Sequence, residues 1–187
     1  INSVGETRGR STYGSSQRND WFFDVAVASD GEPYYTGIRN AVWNDSRDQY
    51  TVTDAWIYHD AGLSEGWSRT GSKNEYNRFS DIDTAGGRVV ASGVTAPVNR
   101  TRGTGYAVAY YSNGIQQWTL TDTDGYEELF EGIAATENTT YIVGFRRTAE
   151  AGFESTFSKY STITSANVEP VVGNNAPPGI DGAGRYD

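Results

Sequence analysis

Short runs in which apolar residues alternate with polar ones, broken by Gly, Asn, Asp and Ser, recur along this chain in register. The first is Asp24-Val-Ala-Val-Ala-Ser-Asp-Gly31 followed by Tyr34-Tyr-Thr-Gly37. The second is Asp81-Ile-Asp-Thr-Ala-Gly-Gly87 followed by Val90-Ala-Ser-Gly93, and the third is Gly132-Ile-Ala-Ala-Thr136 followed by Tyr141-Ile-Val-Gly144. Phe22, Phe79 and Phe130 anchor the three runs, 57 and then 51 positions apart. Alternation with a period of two predicts strands, and the Gly-rich breaks predict the turns of an antiparallel meander. Each unit is expected to hold four strands: A (24–28, 81–84, 132–136), B (34–38 in the first unit), C (54–59, 106–110, 153–160) and D (66–70). The polar stretches 39–49, 95–104 and 146–152 are expected to be B–C connections, and Trp67 and Trp118 mark the D strands of the first two units.

A repeat of about 40–50 residues with four short strands is what a β-propeller blade needs. The expected fold is therefore all-β, with three four-stranded antiparallel propeller-type blades inside residues 1–168, at about 14–70, 71–121 and 122–164. Residues 169–187 read as a Pro/Gly-rich linker or arm. The third unit has no Gly…Trp after Tyr160, and residues 1–13 resemble a D strand with Arg10 in the Trp place. Either those residues close the last blade beside 153–160, or the chain is a mid-blade segment of a longer array. Closed rings have at least about four blades, so three imply either part of a larger propeller or completion by oligomerisation. A two-sheet β-sandwich or jelly roll is the alternative. The expected core is Phe22, Val25, Trp56, Trp67, Phe79, Ile82, Val90, Trp118, Phe130, Ile133 and Ile142.

Charge changes the picture more than size does. Asp and Glu total 24 against 15 basic residues, of which only Lys73 and Lys159 are lysines; Cys and Met are absent. An acidic, Lys-poor surface that keeps its Arg suggests a halophilic origin. A net charge of −9 disfavours nucleic acid as a partner, and no apolar window is long enough for membrane insertion by a helix. Sequons at Asn44, Asn99 and Asn138, together with a chain opening on Ile1, lead us to expect an exported, processed or excised glycoprotein.

The segment from Arg10 through Asp30-Gly31, with Tyr34-Tyr-Thr-Gly37, resembles the β-propeller repeats often called SBBP repeats. The resemblance covers about residues 5–160 and is looser in the third copy, where Glu137-Asn138 replaces the Asp-Gly turn. It implies an exported or surface-attached propeller of bacteria or archaea, usually without enzymatic activity, and supplies no catalytic motif.

Candidate chemistry is sparse. The single histidine, His59, is expected at an exposed strand end. Asp122 and Asp124, near a Gly bend, are the candidates for Ca²⁺; no other metal or cofactor is expected. Asp24 and Asp81 occupy equivalent places on two A strands, where a carboxylate pair could bind a cation or act as acid and base. Their repetition by unit argues instead for a role in the fold. No catalytic residue is assigned.

The expected function is a non-enzymatic interaction or structural module at an extracellular, cell or virion surface, in a halophilic archaeon or a virus of one. It would work through protein partners or self-association. Contacts would use Asp20, Trp21, Trp43, Asn77, Arg78, Tyr126 and Glu128, in loops at one end of the units. A carbohydrate-binding or carbohydrate-active propeller, with glycans as the ligand, is the alternative.

Overall fold

A computed structural model describes residues 19–44, 49–60, 67–70, 75–97, 103–121, 127–148 and 152–162. The described residues form eleven strands and no helix: β1 (Asn19–Val27), β2 (Pro33–Asn44), β3 (Gln49–His59), β4 (Trp67–Thr70), β5 (Glu75–Ala85), β6 (Arg88–Pro97), β7 (Thr104–Tyr111), β8 (Gln116–Thr121), β9 (Glu127–Ala135), β10 (Thr139–Thr148) and β11 (Gly152–Ser161). They pair in chain order as antiparallel meanders, β1–β4, β5–β8 and β9–β11. A single parallel pairing, Thr53 with Tyr76, joins the first two at one end. The meanders pack on one another across two apolar junctions, and among the described residues no sheet closes on itself. The expected closing strand at 1–13 and the arm at 169–187 lie outside the described residues.

The meander comes from the turn chemistry. Between β5 and β6 the chain reverses on Gly86 and Gly87, both at positive φ (57° and 72°), as a two-residue hairpin loop requires. Strands extend further than the hydrophobic runs suggest. Residues 39–44 continue β2 to Asn44, and β3 starts at Gln49, so the first B–C connection shrinks to 45–48. Trp43 and Asn44 are strand residues rather than loop residues.

Each meander carries the same irregularity. The pairing of the first strand with the second slips at Phe22/Asp24, at Phe79/Asp81, and between Phe130 and Gly132 opposite Val143/Gly144. Such a bulge presses the first strand's backbone onto its neighbour. A Cβ on Gly37 would collide with the carbonyl of Trp21, one on Gly93 with that of Arg78, and one on Gly144 with that of Leu129. The repeated glycine that ends each Tyr/Val motif is therefore dictated by close backbone approach.

The core lies in the two junctions between sheets. One buries Ala26, Tyr34, Ala55 and Ile57 of the first sheet against Phe79, Ile82, Ala91 and Val108 of the second. The other buries Val90, Ala107, Ala109 and Trp118 against Phe130, Ile133 and Ile142. The middle sheet is covered on both faces, so Val89 to Val94 are all buried without alternation, as expected for a strand with no solvent side. A side chain such as Phe79, fully buried here, contributes roughly 1.5–3 kcal/mol of transfer free energy.

Most of the expected core is buried, but Phe22 and Val25 are not, at 38% and 51% exposure. Their equivalents are covered because a preceding sheet packs on them, and among the described residues no sheet precedes the first. Trp67 is only partly buried. His59 is also corrected: it is buried, its ring stacked 4.4 Å from Tyr34 with Nε2 3.5 Å from Glu32 Oε2.

Candidate functional site

The densest polar chemistry sits where β1, β5 and β9 run beside one another. Asp24 Oδ2 accepts from the N–H of Ile82 (3.1 Å), Asp81 Oδ2 from that of Ile133 (2.7 Å), and Asp83 Oδ2 from that of Ala135 (2.7 Å). The second oxygens of Asp81 and Asp83 accept from their own following amides, Ile82 and Thr84. Each carboxylate thus grips its own strand and the first strand of the next sheet. In the third copy, Gly132 stands where Asp24 and Asp81 stand.

Asp24 and Asp81 also bond to each other. Burial and that bond push Asp81 up to about 6, whereas Asp24, although burial works upward on it too, is held below the usual carboxylate value by bonds from Asp81 and from the amides of Val25 and Ile82. Below about pH 6 one proton is therefore shared between the two carboxyls. A pair so arranged has the protonation asymmetry of an acid–base couple. Its oxygens, however, are already committed to backbone amides, and the geometry describes a fastening between strands.

Further contacts repeat from junction to junction. Trp67 Nε1 donates to the carbonyl of Ser112 (2.7 Å), and Trp118 Nε1 to that of Thr162 (3.4 Å), the matching position one sheet on. Thr53 Oγ1 donates to the carbonyl of Asn77 (2.6 Å) and accepts from its N–H (3.1 Å). At the second junction the N–H of Glu128 donates to the carbonyl of Gly103 (3.0 Å). Arg78 pairs with Glu131 across the same boundary at 2.7 Å.

These contacts place the residues expected to bind partners. Asn77 and Glu128 start β5 and β9 and are buried at the junctions, so they present no side chain to an external contact. Arg78 is engaged with Glu131, and Asp20 Oδ1 accepts from the N–H of Asn40 (2.7 Å), a left-handed residue at the β2 bulge. Trp21 is exposed at the start of β1. Tyr126, Asp122, Asp124 and Asn99 lie outside the described residues, as do the side chains of Trp43 and Asn44. Asn138 is exposed in the β9–β10 turn. Among the described residues, no group of three or more His, Asp or Glu could hold a metal ion.

Among the described residues, the uncovered parts of the two end faces of the stack hold none of the expected core or contact residues except Phe22, Val25 and Trp21. Val25 and Phe22 lie uncovered on the first sheet, and Val143, Phe153 and Phe157 on the third. A signal was present. Where the middle copy has Gly103 and Ala107, the third has Phe153 and Phe157, and where it has Ala91 and Val108, the first has Tyr35 and Tyr58.

No protein-family model matches the chain, and no curated protein matches it either.

Proposed function

We propose that this chain is a non-enzymatic interaction or structural module built from propeller-type blades that resemble SBBP repeats, working at an extracellular, cell or virion surface of a halophilic host. The observation that carries this reading is the use made of the carboxylates. Asp24, Asp81 and Asp83, on the first strands of the first two sheets, are bonded to backbone amides of the neighbouring sheet. Propeller-type assembly is supported by the adjacency of β1, β5 and β9 and by two junctions built from the same contacts. A non-enzymatic module works by what it touches, and its uncovered surface is rich in exposed aromatic and aliphatic side chains.

The competing carbohydrate-binding reading draws on exposed Trp21, since an indole at a sheet end can stack on a sugar ring. A glycan array in molar salt separates the two. Silence on every glycan, with protein partners recovered by cross-linking, is the expected result. Binding lost in Trp21→Ala would favour the lectin reading, and turnover of any sugar would overturn the non-enzymatic one.

A further inference from the structure

The two end faces of the stack are the two halves of a junction that the chain already makes twice. In both internal junctions, one face of a sheet covers the opposite face of the sheet that follows. Phe79 and Ile82 are covered in the first junction, Phe130 and Ile133 in the second, at 1%, 4%, 1% and 8% exposure. The equivalent pair on the first sheet, Phe22 and Val25, is 38% and 51% exposed. Even the ring packing is preserved: Phe79 stacks on Tyr106 at 5.5 Å, and Phe22 on Trp56 at 4.6 Å. The covering face shows the complementary pattern. Ile57 and Ala107, which cover the next sheet, are both fully buried; their equivalent on the third sheet, Phe157, is 44% exposed. Val143, in the place of fully buried Thr36 and Ser92, is 47% exposed.

We propose that a second copy of this chain occupies these faces head to tail, its third sheet covering the first sheet of its partner as the first covers the second within one chain. The inference rests on the propeller-type reading. Its occupant follows from the chain itself, because the surface that fits the Phe22/Val25 face in each internal junction is the surface left uncovered on the third sheet. Two copies bring together six sheets, within the range of about four to eight blades that close a ring. The contact is heterologous, and two such junctions related by a two-fold axis close the assembly. One element is not repeated: with Gly132 in the aspartate's place, the junction between copies rests on apolar packing. It is expected to be weaker than the internal junctions and concentration-dependent.

The test is the mass of the full chain in solution by light scattering over a concentration series, with Val25→Asp and Val143→Asp. Both positions are half exposed within one chain, so each variant should keep the far-ultraviolet spectrum of the parent. Burying a new charge against apolar rings should weaken the dimer by at least about a hundredfold in either variant. Mixing the two variants should restore a two-copy species, because one junction in the mixed pair keeps both native faces. A monomer at every concentration overturns the proposal, as does a dimer sensitive to only one of the two substitutions, or no recovery on mixing. Such failures would leave the non-enzymatic reading standing. Sugar turnover by an intact dimer would remove that reading and leave this one. Glycan binding that competes with dimer formation would assign the face to a sugar and overturn the second copy.

Discussion

Asp24 and Asp81 share a hydrogen bond across the first junction, although each would be anionic at neutral pH if exposed. Asp81 has its pKa raised to about 6, by burial first and by Asp24 second, and Asp24 is lowered, its hydrogen bonds outweighing burial. Below about pH 6, therefore, Asp81 holds the proton and Asp24 the charge.

Stability should follow that proton. Asp81 binds it more tightly in the folded chain than in the unfolded one, so its contribution is complete below the unfolded value of 3.8 and is lost as pH rises through about 6. Asp24 has the opposite sign: its contribution is present above 3.8 and lost as pH falls through its lowered value. The junction is strongest with one proton between the two, and denaturant midpoints should fall as pH rises from 3.8 through about 6 and level off above that. Asp81→Asn, which can donate to Asp24 and still accept from Ile133, should flatten that decline and exceed the parent at pH 8. An unchanged slope in the variant would assign the pH dependence elsewhere.

The glycines opposite the bulges should tolerate no side chain. Gly93→Ala sets a Cβ against the carbonyl of Arg78, a backbone atom that cannot rotate away. Relief requires undoing the bulge that aims Asp81 at Ile133. We expect a loss of about 3 kcal/mol or more by chemical denaturation. Gly37→Ala should cost a similar amount, since Trp21 presents the same carbonyl there. A loss below about 1 kcal/mol in both would show that the bulge does not constrain the glycine.

How much of this was legible follows from what a repeat encodes. The anchors Phe79 and Phe130, the glycines and the tryptophans recur because each meander has the same internal geometry, so three antiparallel units could be read from spacing alone. What a repeat does not encode is its neighbour. Phe22 matches Phe79 in sequence, yet one is exposed and the other buried, because burial depends on the adjacent sheet. Asn77 and Glu128 looked like loop-tip contacts because they are polar and flank the hydrophobic run; in three dimensions they begin strands that press on the preceding sheet. His59 looked exposed because it ends a strand, but Tyr34 and Trp67 enclose it from the same sheet.

The tryptophan bridges should be separable from tryptophan packing. Trp67→Phe keeps most of the ring bulk between Tyr34 and Tyr110 but removes the donor to Ser112. That bond is short and partly solvent-exposed, so its loss should cost about 1 kcal/mol. Trp118→Ala should cost more, about 3–5 kcal/mol, because Trp118 fills the second junction. Thermal melts of the two variants should therefore differ widely. Comparable losses would mean that the indole of Trp67 holds the junction by more than its hydrogen bond.

Two contacts that cross the first or second boundary near the same strand should differ most in a direct comparison. Arg78 and Glu131 make a 2.7 Å ion pair, but both side chains are about a third exposed (31% and 39%), so water screens the pair and Arg78→Ala should cost less than about 1 kcal/mol. Thr53 carries no charge, yet its hydroxyl is fully buried and serves both backbone groups of Asn77 at once. Thr53→Val keeps the shape and removes a partner from a buried N–H and a buried carbonyl, so we expect about 2–3 kcal/mol. The second junction needs no such hydroxyl, because the carbonyl of Gly103 itself accepts from Glu128. The substitution should accordingly loosen the first junction and spare the second. Amide exchange should quicken at Ile82, behind the first junction, before it quickens at Ile133. Equal acceleration at both sites would mean that the three sheets open as one unit, and that the hydroxyl does not hold the first junction separately.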